Sequence, residues 1–398
     1  MVWIMEKGYV VYTAGQRGVT TARYARAVGI SVVGFFDNDL QLQGKVVDGL
    51  EVWNRKALSE GVWSGKIIGI IIGNDAYKNQ IIEAINQEFG TELEIIEEDC
   101  VQKRYWHQDV IPFRKHMEDR YDVLYEEQAQ VWLDNIMSEV EYWSKNVASP
   151  RCKNYELYRK RMNQDKLFEC KRLKKKVKSG TYIVDAGCGI CSQYGMQVEY
   201  GQVHLVGVDP LAFFYNRINH KVLGDIRDSN VKFGMFEFLS SFIEIESADI
   251  VLIDNALDHC IDPFKSILEC LAILKKNGIL SMRHRRCEAV FEGYAGLHKW
   301  NIDVDDENKF IIWNEKNKIN ISDTLKGYVD IEVDVLNGVR RSDEYVEINI
   351  TKRQSFDIHE FYNMQSENRR MARIIQGCMR LMADSNINLK FEQMLEEI

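Results

Sequence analysis

The chain has 398 residues, 45% hydrophobic and 28% charged, with a formal net charge of -9. This length exceeds what one hydrophobic core supports and predicts two α/β domains with helical connecting pieces, while the acidic balance argues against a nucleic-acid-binding body, which carries a basic face. Residues 1–15 show no export signal, the most apolar run, Ile67 to Gly73, is far short of the roughly 20 residues that span a bilayer, and nine cysteines without regular spacing fit reduced thiols in a cytoplasm.

Residues 8–36 predict a strand ("YVVYTA"), a glycine turn ("GQRG"), a helix ending at Gly29 and a second strand ("SVVGFF") that runs into Asp37. A short strand ("GLEVWN"), a central strand ("KIIGIIIGN"), a helix over Tyr77–Phe89 and a last strand ("ELEII") follow. This alternation predicts a small parallel sheet in a domain spanning 1–100. Gly15, Arg17, Gly18 and Asp37 form a candidate phosphate or nucleotide site, with Asp37 placed 22 positions after Gly15 and Arg17 suited to a bidentate phosphate contact. The run "VVGFFDNDLQLQGKVVDGLEVW" resembles the small Rossmann-like domain that precedes the catalytic part of some sugar-nucleotide acyltransferases. That resemblance implies nucleotide-sugar binding through those four residues. A degenerate domain used for packing or dimerisation is the competing reading.

Residues 101–180 predict a helical connector and lid, broken near Pro150. The basic run Lys171 to Lys178 ("KRLKKKVK") reads as a solvated helix face rather than a phosphate-binding patch. Residues 181–351 return to alternating strands and helices, with strands expected at 181–185, 203–208, 249–254 and 278–283. Two late strands near 328–335 and 344–351, joined through "NGVRRSD", predict an antiparallel hairpin. Residues 352–398 read as a helical tail whose stripe "MARIIQGCMRLM" faces a partner or another domain.

The chemistry concentrates in "TYIVDAGCGIC", a strand running into a glycine turn. Gly187 and Gly189 let the backbone turn sharply and approach a ligand. The next strand ends at Asp209, 20 positions after Gly189, a placement that suits both hydroxyls of a ribose. The turn lacks the third glycine of a dinucleotide fingerprint, and Asp185 just before it would repel a pyrophosphate but suit a cationic ligand. A zinc site would need two further ligands at suitable spacing, and no second Cys-x-x-Cys exists. Cys188 and Cys191 therefore read as small residues packed around the loop, and no metal site is predicted.

"VDAGCG" followed by "GVDP" resembles the class I S-adenosylmethionine-dependent methyltransferases. That resemblance implies a doubly wound α/β sheet with an antiparallel last hairpin, beside the small Rossmann-like domain and the helical segments. It also implies S-adenosylmethionine as cofactor, held by Asp185, Gly187, Gly189 and Asp209. "SADIVLIDNALDHCIDP" resembles the family's fourth-strand motif, which adds Asp254 and Asn255, and "NVKFGMFEFL" adds Met235 and Phe236, with Glu237 a further candidate near the adenine. "ECLAILKKNGILSMR" resembles the turn into the fifth strand, although the usual arginine and proline are absent.

"EAVFEGYAGLHKWNIDVDD" resembles a segment of methyltransferases encoded in bacterial surface-glycan gene clusters. The expected reaction is O-methylation of a sugar, sugar nucleotide or surface-glycan precursor, without nucleic-acid or membrane-spanning partners. A hydroxyl acceptor calls for a base, and His298 or His259 fills that role, with Trp300 and His284 as acceptor-binding candidates. Each histidine also reads as a hydrogen-bonded structural residue, and Trp300 as core. Two other functions compete: an NAD- or nucleotide-sugar-dependent enzyme working through the first domain, and a non-catalytic cofactor-binding scaffold. Self-association into a homo-oligomer is left open.

Overall fold

The computed structural model describes residues 7–73, 76–91, 93–107, 126–163, 165–173, 177–223, 231–355, 357–358 and 364–397. It divides into two compact units. The first comprises Met1–Phe113, Arg286–Ile319 and Asn337–Glu344; the second comprises Arg114–Arg285, Asn320–Leu336 and Tyr345–Ile398.

In the first unit, β1 (Gly8–Tyr12), β2 (Val32–Phe36), β3 (Val46–Val47), β4 (Leu50–Trp53), β5 (Ile67–Ile72) and β6 (Glu94–Glu97) form one sheet in the order β3-β4-β2-β1-β5-β6. All neighbours pair parallel except β3 with β4. The chain leaves β1 toward β2 on one side and later adds β5 on the other, so the strand order reverses at β1. The helix Gln16–Ala27 lays Ala22, Tyr24 and Ala25 on the core. A second helix, Arg55–Trp63, starts where the Asn54 side chain accepts the Ala57 N–H at 2.9 Å, an N-cap that satisfies one orphan donor.

In the second unit, β7 (Tyr182–Ala186) is followed by a small hairpin of β8 (Gln197–Val198) and β9 (Gly201–Gln202). Next come β10 (His204–Asp209), β11 (Lys232–Phe233), β12 (Ala248–Asp254) and β13 (Leu274–Arg285). The chain then leaves the second unit for β14 (Asn301–Val304), β15 (Phe310–Trp313) and β16 (Lys318–Asn320), a separate three-stranded sheet that up to Ile319 belongs to the first unit. It returns as β17 (Val329–Leu336) and β18 (Tyr345–Lys352). The main sheet runs β11-β10-β7-β12-β13-β18-β17, parallel from β11 to β13 and antiparallel over β13, β18 and β17. Between β12 and β13, the helix Pro263–Ile273 is buried along its whole length. It begins with proline at its first turn and with Asp262 accepting the Lys265 N–H at 3.0 Å.

Three expectations need adjusting. Residues 286–319 and 337–344 group with the first unit, and from the former Cys287, Val290, Ile311 and Trp313 fill the same core as Val11, Tyr24 and Tyr105. The basic run does not form a solvated helix face over its described part. Lys171–Leu173 is a single 3-10 turn, Leu173 is buried in the second unit's core, and the Arg172 side chain is 4% exposed; Lys174 to Lys176 lie outside the described residues. In the tail, Ile374 and Cys378, one helical turn apart, are buried, which narrows the two expected roles of the stripe to packing. No helix among the described residues is long and apolar enough to cross a membrane.

Candidate functional site

The second unit gathers its chemistry at the carboxyl ends of β7, β10, β12 and β13. Past β7 the chain turns through Gly187 at φ +65° and Gly189 at φ +61°, a region that side chains with a Cβ rarely adopt. A Cβ on Gly187 would overlap the Phe236 ring and lie 2.8 Å from the Ala256 Cβ, so the turn threads between those two residues. The Gly187 N–H donates to the Val208 carbonyl at 2.8 Å, tying the turn to β10.

Asp209 ends β10. Its Oδ2 accepts the Gly189 N–H at 3.1 Å and its Oδ1 accepts the Leu211 N–H at 2.9 Å. Burial pushes its pKa up to about 7 against the pull of those two N–H groups. A carboxylate has about four lone-pair sites, so acceptor capacity remains for a pair of hydroxyls. Cys188 packs its sulfur over Gly207 of β10. Burial holds the Cys188 thiol well above its ordinary value and pushes Cys191 up to about 12, so both stay protonated, and neither is in a disulfide.

Asp185, 3% exposed on β7, has its pKa pushed to about 8 by burial and by the nearby Asp254 charge, with a Ser192 hydrogen bond and Arg172 working the other way. Asp254 ends β12 and is the hub of a network. It accepts Arg172 Nη1 at 2.6 Å, Gln193 Nε2 at 2.8 Å and the Tyr194 hydroxyl. Burial works against its ionisation, but the Arg172 guanidinium prevails and holds the carboxyl below its usual range.

Asn255, at φ +52°, joins two strands: its N–H donates to the Arg283 carbonyl at 2.8 Å and its Oδ1 accepts the Arg285 N–H at 2.9 Å. Met235 is 2% exposed and precedes the 3-10 turn Phe236–Ser241. Glu237 is buried, and its Oε1 accepts the Ile261 N–H at 2.7 Å and the Asp262 N–H at 3.4 Å. That carboxyl serves the turn before the Pro263–Ile273 helix.

The histidines separate. His259 closes the turn Leu257–His259, with Nε2 3.5 Å from Oδ2 of Asp258; the His259 side chain is 22% exposed and that of Asp258 1%. His284 lies on β13, 1% exposed, and neither ring nitrogen has a hydrogen-bond partner among the described residues. Burial pushes its pKa down to about 4, with Asp258 and Asp254 opposing, so the ring is neutral at ordinary pH. His298 and Trp300 belong to the first unit. Trp300 is 1% exposed, a core side chain whose ring faces are covered, so it offers no open platform for a sugar.

In the first unit, Asp37 directly follows β2, with Oδ2 accepting the Ala14 N–H and Oδ1 accepting the Asp39 N–H, both at 2.9 Å. A cavity of about 470 Å³ opens beside it, lined by Tyr12, Phe36, Asp37, Arg55, Tyr77 and Glu88 among others. Gly15, Arg17 and Gly18 do not line it. Arg17 instead pairs with Glu98 at 2.6 Å and stacks over Phe291 at 4.4 Å. A Cβ on Gly18 would fall on the Thr13 carbonyl oxygen, so that glycine serves close helix packing. Only Asp37 of the four expected residues faces the cavity.

Sequence reasoning missed Arg172, which stood inside a lysine run. Gln193 and Tyr194 stood where a third glycine was sought, and their polar side chains were the available signal.

Residues 184–282, all within the second unit, match the family model described as "Methyltransferase domain". No curated protein matches the chain. Among solved structures, the chain is similar to the CurJ carbon methyltransferase at 14% identity and a TM-score of 0.33, over 46% of this chain and about half, 51%, of that one. It is also similar to the N-methyltransferase NodS from Bradyrhizobium japonicum, solved with S-adenosyl-L-homocysteine, at 13% identity and a TM-score of 0.35, over 55% of this chain and 100% of that one. A possible histamine N-methyltransferase from Thermotoga maritima is similar at 16% identity and a TM-score of 0.33, over 57% and 100%. The positive-φ glycine turn and the spare acceptor capacity of Asp209 fit a ribose-bearing cofactor. Residues 184–282 of the second unit carry a methyltransferase domain, the kind of domain that takes S-adenosylmethionine as its cofactor.

Proposed function

We propose that the enzyme methylates a hydroxyl group on a sugar, sugar nucleotide or surface-glycan precursor. The observation that carries a hydroxyl acceptor is the buried Asp258 carboxylate against the partly exposed His259 imidazole. Bound S-adenosylmethionine supplies an electrophilic methyl group on its sulfonium. The chain's part is alignment, exclusion of water and removal of a proton. His259 takes the proton of the acceptor hydroxyl, and Asp258 orients the ring and stabilises its charged form. Asp209 receives the ribose hydroxyls, the turn at Gly187 and Gly189 carries the cofactor past Phe236 and Met235, and Asp185 faces the cationic amino-acid end. Asn255 sets the edge between β12 and β13. The glycan part rests on the resemblance of the segment containing His298 and Trp300.

A second reading concerns the first unit. The cavity beside Asp37 lies at the strand-order reversal at β1, where open α/β sheets bind ligands. It supports a nucleotide-sugar site there, with Asp37 as the polar contact.

The test is transfer from labelled S-adenosylmethionine to a panel of sugars, nucleotide sugars and amines, with products read by mass spectrometry. An O-methyl product, lost in His259→Asn while S-adenosylhomocysteine still binds, is expected. Methylation at nitrogen or carbon would overturn the hydroxyl reading.

A further inference from the structure

Arg172 precedes β7 in a one-turn 3-10 segment, and its side chain is 4% exposed. Two of its three guanidinium nitrogens are engaged: Nη1 on Asp254 at 2.6 Å, and Nη2 on the Tyr194 hydroxyl at 2.9 Å. The third, Nε, is buried and has no hydrogen-bond partner among the described residues. A charged donor left unmade inside a protein is costly, and it persists where a ligand completes it. Its surroundings point to that ligand. Asp254 ends β12, Tyr194 follows the turn at Gly187 and Gly189, and the Arg172 charge acts on Asp185 at the end of β7.

We propose that Arg172 receives, through its Nε–H, the carboxylate of the amino-acid end of the cofactor. This rests on the methyltransferase reading of the second unit. That end of the cofactor is a zwitterion, one ammonium and one carboxylate. Asp185 complements the first charge and Arg172 the second. The Asp254 and Tyr194 contacts fix the plane of the guanidinium before ligand arrives, so a single donor edge is presented without ordering cost at binding. Asp254 is then a positioning residue, and its own carboxylate is occupied by Arg172.

The experiment is calorimetric titration of the full chain with S-adenosylhomocysteine and with its decarboxylated analogue, which keeps the ribose, thioether and amine. Wild-type protein is expected to bind the decarboxylated compound about tenfold or more weakly. Arg172→Met should lose about tenfold in affinity for S-adenosylhomocysteine and bind the decarboxylated compound within about twofold of wild type. Arg172→Lys, which keeps a donor, should recover part of the loss. If both compounds weaken equally in Arg172→Met, the arginine only shapes the loop and the proposal fails. If Arg172→Met does not fold, equal binding of the two compounds to wild type overturns it alone. Absence of S-adenosylhomocysteine binding to wild type would instead refute the methyltransferase reading beneath it.

Discussion

The two units build the same joint for different ends. In each, an aspartate closing the second strand of the central trio reaches back to a backbone N–H in the loop after the first: Asp37 to Ala14 at 2.9 Å, and Asp209 to Gly189 at 3.1 Å. The glycines around the joint differ in their physics. Gly187 and Gly189 are needed for their left-handed backbone, whereas Gly15 is extended at φ -71° and Gly18 is needed because a helix starts against the Thr13 carbonyl. The arginine of the first turn pairs with Glu98 and stacks over Phe291, while that of the second unit pairs with Asp254 and the Tyr194 hydroxyl. Identical letters in a glycine-rich turn thus encode either a ligand approach or a tight helix contact, and the backbone angle tells them apart.

The sharpest way to break this comparison is glycine to alanine on both sides. Gly18→Ala places a methyl group on a backbone oxygen and should destabilise the first unit by about 3 kcal/mol, read as a lower first transition in scanning calorimetry. Its S-adenosylhomocysteine affinity should stay within about twofold. Gly187→Ala should do the reverse. It costs about 1–2 kcal/mol in backbone strain alone and displaces Phe236, so binding of S-adenosylhomocysteine should fall by about a hundredfold.

The aspartates come next. Asp209→Ala should weaken S-adenosylhomocysteine about a hundredfold, since it removes charge-assisted bonds worth roughly 1.5–3 kcal/mol each. Asp37→Ala should leave that affinity unchanged. Loss of binding in Asp37→Ala would mean that the first unit supports the cofactor site.

Asp185 and Asp209 also predict a pH dependence. Their folded pKa values, about 8 and about 7, lie above the unfolded value near 4. Between those limits the folded state holds more protons, so their contribution to stability is full at acid pH and is lost as pH rises toward 8. Each group adds a slope of at most about 1.4 kcal/mol per pH unit. Thermal unfolding across pH 5 to 8 should show that decline, and Asp185→Asn should flatten it.

His284 has the opposite sign. Its folded pKa of about 4 lies below the ordinary 6.5, so its contribution falls as pH drops from 6.5 toward 4. His284→Leu should remove that acid sensitivity and raise stability by about 1 kcal/mol, because an unpartnered buried ring is exchanged for an apolar one. A lower melting temperature in this variant would show that the ring has a partner in solution.

The longer strands of both main sheets were legible because each is a short apolar run bounded by glycine or a polar turn, whereas the two-residue edge strands β3 and β11 are too short to carry that pattern; the Asp185, Gly187, Gly189, Asp209 constellation was legible because it is local in sequence. The Arg172–Asp254 pair was not. It spans 82 residues, and a lysine-rich run carries no mark of which member turns inward. The placement of β14 to β16 was hidden for a related reason: alternation of apolar residues says that a strand is half-buried, and leaves open whose core it completes. Trp300 shows the converse, an aromatic residue in a functional-looking segment that is simply interior.

That allocation of residues 286–319 and 337–344 has a consequence for synthesis. A ribosome delivers the first six strands early, yet the hydrophobic interior they share is incomplete until Cys287, Val290, Ile311 and Trp313 emerge. The amino-terminal sheet must therefore wait, partly uncovered, through the translation of nearly the whole methyltransferase domain. A gene fragment ending at residue 113 would yield a protein missing one wall.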